Sequence, residues 1–478
     1  MIGPPIAFNR LPRNAILGVL TALSLVLAPP SVASAQDGGG VIDLSTSSED
    51  AKAHFWAGME DSHNVYAPGA VRHFDQAIQA DPDWGIAHVM RAQVGSMPND
   101  RRLEEIQRGI AAMGDATGDE LLMATAVRAF RTGNGADASR LIAALRRNNP
   151  DDPYAAFWAA QTAAARGSQM DAEAMWEAVI EDFPDYAPSY NLLAYDRWGI
   201  NDRSGALEAA RDYLRLAPDH PNSHDSYAEI LQGMGHYTDA LTHYGQAAAR
   251  ADDFVAAQTG MAETYVLMGD YEEAARHMES AAEMTSNGER VNNLRGAASA
   301  HMLGGDRSGA MDALTAAAEA APDDNARGFA HLQMALTAGM MGRDGDVQDY
   351  LDRAAEFGGD DSPGFHGMSA TAHAAAGHGD EARAAAGHLT DANPFWTSVG
   401  DAALGLALVN EGNAQGAIDA LSSADMTNPM VQAVMSRALD DLDRPAEAEA
   451  LRSNVLDQRT LNLANPFVGA ARYLVADN

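Results

Sequence analysis

Histidine has the clearest potential for chemistry in this sequence, because the 478-residue chain contains 15 histidines and no cysteine. His220 and His224 are four residues apart, with Asp225 beside them, so a helix would bring two imidazoles and a carboxylate together. His366 and His373 are seven residues apart and would share one helix face. Zinc sites use three or four protein ligands, and a pair of imidazoles falls short of that number. We therefore predict no metal site, and the alternative is a weak copper, nickel or zinc patch at these histidines.

Other catalytic signatures are missing from the sequence. A phosphate-binding loop that ends in Gly-Lys-Ser/Thr needs a lysine, as does Schiff-base chemistry, and the only lysine is Lys52 in Ala51-Lys52-Ala53. The metalloprotease pattern His-Glu-x-x-His and the hydrolase pattern Gly-x-Ser-x-Gly do not occur. Without cysteine there is no thiol nucleophile and no zinc ribbon. The sequence therefore predicts a protein that is not an enzyme and that binds no cofactor.

The charge balance excludes several classes of partner. The chain has 32 Lys+Arg against 67 Asp+Glu, which gives a formal net charge of −35. Binding to nucleic acid or to anionic lipid needs a basic surface, so we expect neither. A dense carboxylate surface is typical of proteins in saline surroundings, and an Arg- and Ala-rich composition is equally typical of a GC-rich genome. With 46% apolar residues, the chain is able to form a large core.

The first 35 residues have the pattern of a secretory signal peptide. Arg10 and Arg13 precede an apolar run from Ala15 to Leu27, and Ala33-Ser34-Ala35 supplies the small residues of a cleavage site. The run of 13 residues is shorter than the roughly 20 that a membrane-spanning helix needs. We therefore expect residues 1–35 to be removed. The mature chain is expected to be periplasmic or secreted, with no membrane insertion.

A period of 34 residues runs through most of the remaining chain. The phrase Gly-x-Tyr-x-x-Ala occurs at residues 235–240 and again at 269–274. Steps of similar length in both directions reach a small residue at almost every position, with Glu104 as the exception. The small residues in this register are Ala70, Ala138, Ala172, Ala206, Ala240, Ala274, Ala310, Val347, Ala382, Ala417 and Ala448. Glycines five residues before six of them predict turns with positive φ, namely Gly133, Gly235, Gly269, Gly342, Gly377 and Gly412.

This pattern resembles the tetratricopeptide repeat, a helix–turn–helix unit of 34 residues. The resemblance implies an all-α, right-handed superhelical solenoid of about twelve repeats over residues 51–458, whose first helices line a concave groove. Residues 36–50 are rich in Gly, Ser and Asp and predict a flexible lead. Residues 459–478 include the apolar run Pro466 to Val475 and predict a C-terminal capping helix and tail, because a stack of repeats must cover its apolar end.

The same resemblance identifies candidate partner-binding residues on the first helices. They are Tyr154, Phe157, Asn191, Tyr195, Trp198, Asp225, Glu229, Gln232, Glu263 and Arg295. For each of them, packing between neighbouring first helices is the alternative. Tyr195 and Trp198 are the preferred anchors, because aromatic residues carry much of the binding energy at interfaces. Asp225, Glu229 and Glu263 predict an acidic groove, so we expect a protein or peptide partner that is basic or neutral.

Taken together, these features predict a non-catalytic scaffold of the bacterial cell envelope that binds protein or peptide partners in its groove. The alternative is a periplasmic protein that binds a metal or another small ligand through its histidine clusters.

Overall fold

The computed structural model describes residues 41–165, 169–342, 344–457 and 461–476. Within these ranges the regular structure consists of twenty-five α-helices and no strand. The helices form twelve consecutive pairs followed by a single helix, which confirms the predicted all-α array of about twelve helix–turn–helix repeats. The predicted signal peptide, residues 1–35, lies outside the described residues.

The first helices of the pairs carry the predicted groove residues. They are α1 (Glu49–His63), α3 (Gly85–Val94), α5 (Gly118–Arg131), α7 (Pro153–Ala164), α9 (Ala187–Gly199), α11 (Pro221–Gly233), α13 (Val255–Met268), α15 (Asn287–Leu303), α17 (Asp324–Met340), α19 (Pro363–Ala375), α21 (Pro394–Asn410) and α23 (Pro429–Asp441).

The second helices carry the small residues of the 34-residue register. They are α2 (Ala67–Ala80), α4 (Asn99–Ala111), α6 (Gly135–Asn148), α8 (Gln169–Asp182), α10 (Arg203–Leu216), α12 (Tyr237–Arg250), α14 (Tyr271–Met284), α16 (Arg307–Ala320), α18 (Asp344–Glu356), α20 (Gly379–Gly387), α22 (Ala414–Leu421) and α24 (Pro445–Leu456). The single helix that follows is α25 (Pro466–Ala476). No helix among the described residues is long and apolar enough to cross a membrane.

In most of the described pairs, the turn between the two helices contains a residue with positive φ. The turn between α3 and α4 is an exception, since Gly95 there has φ −65°. All six predicted turn glycines have positive φ, between 72° at Gly342 and 85° at Gly235. In several turns an Asp or Asn follows and caps the second helix: the carboxylate of Asp270, for example, accepts a hydrogen bond from the amide of Glu273 at 3.3 Å. In these turns the glycine reverses the direction of the chain, and the side chain of the next residue caps the second helix.

The register residues of the second helices lie in the core. Ala70, Ala138, Ala206 and Ala240 are 0% exposed, and so are the later members of the series from Ala274 to Ala448. Glu104, the exception in the sequence, is exposed. The absence of a bulky side chain at these positions lets neighbouring helices approach closely, which explains the alanine-rich composition of the core.

The described residues divide into two compact units. The N-terminal unit comprises residues 41–230 and 249–254, and the C-terminal unit comprises residues 231–248 and 255–476. In the N-terminal unit each helix from α1 to α10 packs against the next one along the chain, and an apolar cluster extends from Ile42 to Trp158.

In the C-terminal unit each helix from α13 to α25 packs against the next one. The first helices also form a series of direct contacts, from α15 through α17, α19 and α21 to α23. Helix α25 does not continue this series as a further layer. It contacts α15 and α17 as well as α23 and α24, so it covers first helices that precede it by several repeats.

Candidate partner-binding surface

Three of the predicted groove residues meet in the N-terminal unit. The Tyr195 hydroxyl of α9 lies 3.2 Å from Ser226 Oγ of α11 and also donates a hydrogen bond to the Glu229 carboxylate. Burial raises the pKa of Tyr195 well above its usual value, and the carboxylates of Glu229 and Asp225 raise it further. Tyr195, Asp225, Ser226 and Glu229 are called the acidic patch below. The patch connects the first helices of two successive repeats and combines a protonated phenol with two carboxylates.

The acidic patch is a largely enclosed site. Asp225 is 4% exposed and Glu229 is 8% exposed. Asn191, one turn before Tyr195 on α9, is 1% exposed, and its Oδ1 atom has no hydrogen-bond partner among the described residues. Salt screens charges at this depth less than it screens charges on the surface.

Tyr154 and Phe157 are covered by the chain's own first helix. The ring of Trp56 in α1 lies 4.7 Å from that of Tyr154, and the imidazole of His63 stacks on Phe157 at 4.5 Å. His63 Nδ1 is 2.6 Å from the hydroxyl of Tyr186. Burial lowers the pKa of His63 to about 3, so this imidazole is neutral at neutral pH. These two predicted groove residues therefore contact an intramolecular helix.

Trp198 is engaged within its own repeat. The Arg203 guanidinium lies 3.6 Å from the centre of the indole ring, and its Nη1 atom donates a hydrogen bond to the Trp198 carbonyl at 2.8 Å. The indole is 8% exposed. The contact between the Arg203 guanidinium and the Trp198 ring is a cation–π interaction, of the kind that stabilises a fold.

The predicted residues of the C-terminal unit have different surroundings. Gln232 is 2% exposed and its Oε1 atom accepts hydrogen bonds from the hydroxyls of Tyr244 at 3.0 Å and Thr264 at 2.8 Å. Glu263 is 9% exposed. Gln232 therefore ties the second helix of one repeat to the first helix of the next.

Arg295 binds a segment that sequence reasoning did not connect with it. Its Nε atom donates to Gln333 Oε1 at 2.8 Å, and its Nη2 atom donates to the carbonyl oxygen of Ala464 at 2.7 Å. The guanidinium also lies 4.3 Å from the centre of the Phe329 ring. Burial lowers the pKa of Arg295 to about 10, which leaves it charged. A first-helix arginine thus holds the chain that leads into α25.

Of the predicted lead, residues 36–50, the structure describes 41–50; residues 49 and 50 belong to α1, and residues 41–48 run along the beginnings of α5 and α7. The amides of Ile42, Asp43 and Ser45 donate to the carboxylates of Asp152, Asp119 and Glu120 at 3.1, 3.2 and 3.0 Å. The lead ends at Ser48, whose side chain caps α1. Sequence reasoning missed the three carboxylate contacts, since no local pattern marks a partner this far along the chain.

The histidines that could bind a metal have other neighbours. His220 Nε2 is 3.3 Å from Asp61 Oδ1, and His224 Nε2 is 3.0 Å from the Pro218 carbonyl oxygen. The His366 ring stacks on that of His388 at 4.1 Å, and His373 Nδ1 is 3.3 Å from His378 Nδ1. Across the described ranges, no three His, Asp or Glu side chains are arranged to hold a metal ion.

Comparison with known proteins finds tetratricopeptide repeats in two parts of the chain. Family models described as tetratricopeptide repeats match residues 123–188 and 231–298. These segments contain Tyr154 and Phe157, and Gln232, Glu263 and Arg295, respectively. No curated protein matches the sequence.

Several solved structures resemble parts of the chain. A thermophilic tetratricopeptide-repeat protein of Thermus thermophilus is 22% identical, with 35% of this chain and 91% of that chain covered and a TM-score of 0.31. MamA from Desulfovibrio magneticus is 17% identical, with coverage of 36% and 96% and a TM-score of 0.30. YrrB, described as a tetratricopeptide-repeat protein with an unusual peptide-binding site, is 13% identical, with coverage of 44% and 92% and a TM-score of 0.26.

Proposed function

We propose that this chain is a non-catalytic scaffold that binds protein or peptide partners through the first helices of its repeats. Stacked helical repeats commonly use the extended surface of one helix series for binding. The described chain offers such a series, and two of its parts match tetratricopeptide-repeat models. No catalytic signature in the sequence competes with this function.

The acidic patch supports a basic or neutral partner. Asp225 and Glu229 place two carboxylates beside the Tyr195 hydroxyl, and the chain as a whole has a net charge of −35. Complementary charge speeds encounter and suppresses partners of like charge. A peptide with lysine or arginine side chains is therefore favoured at the face of α9 and α11, and an acidic peptide is repelled.

Peptide binding to the full-length protein tests this proposal. Basic, neutral and acidic peptides of equal length and equal apolar content would be titrated against the immobilised protein at low and at high salt. We expect basic peptides to bind most tightly at both salt concentrations. Retention of acidic peptides alone would contradict the proposal.

A pair of matched variants assigns the effect to the patch. Asp225→Asn with Glu229→Gln removes both charges and keeps an acceptor for Tyr195, and we expect it to weaken basic-peptide binding about tenfold. The control is Glu104→Gln with Asp115→Asn, which removes two charges from exposed positions of the same unit. Equal losses in both variants would show that net charge, and not the patch, attracts the peptide.

We place this scaffold in the bacterial cell envelope. The support is the signal-peptide pattern of residues 1–35 and the absence of cysteine, which suits an oxidising compartment. Mass spectrometry of the protein recovered from a periplasmic or secreted fraction should give a chain that begins at Gln36. Recovery only from the cytoplasm with residues 1–35 intact would overturn this placement.

A further inference from the structure

Three first helices of the C-terminal unit, α15, α17 and α23, contact residues 461–476, called the C-terminal segment below. This segment consists of α25 and the five residues before it. Leu461 is 6% exposed and Leu463 is 1% exposed, and both belong to the apolar cluster around α15. Leu474 and Val475, near the end of α25, belong to the cluster built by the later repeats. The segment therefore packs on two apolar surfaces at once.

The C-terminal segment contacts first helices through one hydrogen bond, one close approach and one aromatic pair. Its main chain accepts the hydrogen bond from Arg295 at Ala464. Gly469 faces α15 so closely that a Cβ there would lie 3.2 Å from the Cβ of Ser299. The Phe467 ring lies 6.1 Å from that of Trp396 in α21, in an edge-to-face arrangement. An arginine, a small-residue contact and an aromatic contact, all on first helices, thus hold one apolar helix, most of whose residues are buried.

None of these contacts requires this particular sequence. Arg295 binds a main-chain carbonyl, which every peptide has, and the close approach to α15 needs only a small residue at one position. The remaining requirements are an aromatic residue at the beginning of the helix and aliphatic residues about two turns later. A helix from another protein that meets them would fit the same surface.

The C-terminal segment also contains an unfavourable feature. Arg472 is 4% exposed, and its Nη2 atom donates to the Leu456 carbonyl oxygen at 2.6 Å. Burial lowers the pKa of Arg472, and the charges of Tyr271, Tyr237 and Asp457 raise it in part. Removing a guanidinium from water disfavours the bound arrangement, whereas an aliphatic side chain there would not. The segment is held in part by its covalent link, since residues 457–460 join it directly to α24.

We propose that the C-terminal segment is a tethered ligand of the α15–α17–α23 surface, and that a partner's apolar helix of the same chemistry displaces it. The inference rests on the proposed scaffold function and names the partner class: a helix with an aromatic residue first, small residues next and no buried charge. A tether of a few residues gives the segment an effective concentration in the millimolar range, so a free helix must bind tightly to compete.

The test uses the full-length protein and a fluorescent peptide of residues 461–476. Phe467→Ala with Gly469→Leu should unseat the segment, because it removes the ring that meets Trp396 and adds a side chain against Ser299. We expect this variant to bind the peptide about tenfold more tightly than the wild type does. The matched control is Asn462→Ala, which changes an exposed residue of the same segment and should bind like the wild type. No gain of binding in the unseated variant would overturn the proposal.

Two further measurements keep the test decisive. Arg295→Ala in the unseated variant should lower peptide affinity, and a peptide with Arg472→Leu should bind the unseated variant more tightly than the native sequence does. If the unseated variant fails to fold, hydrogen exchange of the wild type decides: displacement requires the α25 amides to exchange faster than those of α15. Equal protection of both helices would contradict the proposal. Because the peptide comes from this chain, a positive result stands even if basic partners fail to bind the acidic patch.

Discussion

At the scale of single residues, the turns show how much a repeat depends on one backbone conformation. The turn residues that are not glycine include Asn201 with φ 69° and Asp443 with φ 59°, and Asn and Asp tolerate this region. Val65, in the turn between α1 and α2, has φ 60° although its Cβ is branched. Its neighbours hold it there: Asn64 Oδ1 accepts a hydrogen bond from the Tyr213 hydroxyl at 2.8 Å, and the Tyr66 hydroxyl donates to Asp253 at 2.5 Å. Val65 thus has a strained backbone conformation, which the hydrogen bonds of its two neighbours maintain.

Val65→Gly should stabilise the protein. A left-handed conformation disfavours a residue with a Cβ by roughly 1–2 kcal/mol, and the added freedom of glycine in the unfolded chain offsets part of that gain. We expect a net gain of about 1 kcal/mol, measured as a higher midpoint in calorimetry. Gly269→Val is the reverse exchange, at a turn where a Cβ would meet no atom within 4 Å, and should destabilise. A lower midpoint for Val65→Gly would contradict the strain.

His63→Gln should reduce the loss of stability in mild acid. The pKa of folded His63 is lowered to about 3 by burial, whereas in the unfolded chain it lies near 6.5. As the pH falls from about 6.5 towards 3, only the unfolded state takes up this proton, so stability falls by up to ~1.4 kcal/mol per pH unit. In denaturant titrations, we expect the free energy of unfolding to change less between neutral pH and a pH of about 5 for the variant than for the wild type. The control His236→Gln changes an exposed histidine, and equal behaviour of both variants would refute the assignment to His63.

The sequence was most informative where one residue type meets one physical requirement. The six turn glycines and the register alanines could be predicted because positive φ and close helix packing each select a residue type at a fixed spacing. Tyr154 and Phe157 show the limit. Their helix position could be predicted, but their contact with Trp56 and His63 depends on where α1 lies in the folded unit, which no local pattern encodes.

At the scale of elements, Glu120 joins three parts of the N-terminal unit. It is 0% exposed, and its carboxylate accepts hydrogen bonds from Trp84 Nε1 at 2.7 Å and from the amides of Ser45 and Thr117 at 3.0 Å each. The Glu120 carboxylate therefore binds the lead segment to α5 and forms the N-terminal cap of that helix together with Thr117. It also orients the indole of Trp84, which precedes α3. Its contact with Ser45 spans 75 residues of sequence, and the composition of residues 36–50 does not indicate a partner at that distance.

Glu120→Ala should destabilise the N-terminal unit strongly. The change leaves the indole and two amides without their acceptor, and buried donors in that situation are expected to lower the free energy of unfolding by about 3 kcal/mol in total. The lead segment should also become a site of rapid cleavage by an added protease. Glu105→Ala removes a half-buried partner of Arg108 on α4 and should change stability by about 0.5 kcal/mol at most. A similar small effect of both variants would show that the lead segment is not held by Glu120.

At the scale of the whole molecule, the excess of acidic residues opposes folding. The chain has 67 acidic residues against 32 basic ones, and bringing them together raises their mutual repulsion. Many ion pairs among the described residues lie within one helix turn, such as Arg108 with Glu105 and Arg327 with Asp324, and such pairs contribute little to stability. The acidic surface keeps the protein soluble at the expense of its stability at low ionic strength.

Added salt should therefore stabilise the protein. Raising sodium chloride from a few millimolar to near molar concentration shortens the Debye length from roughly 30 Å or more to about 3 Å, which screens the repulsion between carboxylates. We expect the midpoint of thermal unfolding to rise by several degrees, and potassium chloride to act equally at the same ionic strength. An uncharged osmolyte at equal osmolality serves as the control. A midpoint that is constant or falls with salt would show that attractive ion pairs outweigh the repulsion.

The position of α25 has a consequence for the order in which the chain can fold. Arg295 and Ala464 are 169 residues apart, so the face of α15 that the C-terminal segment covers is synthesised long before its cover. Contacts between residues so far apart in the sequence form late in folding. Until they form, the apolar surface that they will bury is exposed and prone to aggregation. A ribosome-bound or truncated chain that ends before residue 461 would uncover Ser299 and Met302 of α15, which face Gly469 and are 2% and 3% exposed in the folded unit. Proteases and chaperones could therefore distinguish an unfinished chain from a complete one at this surface.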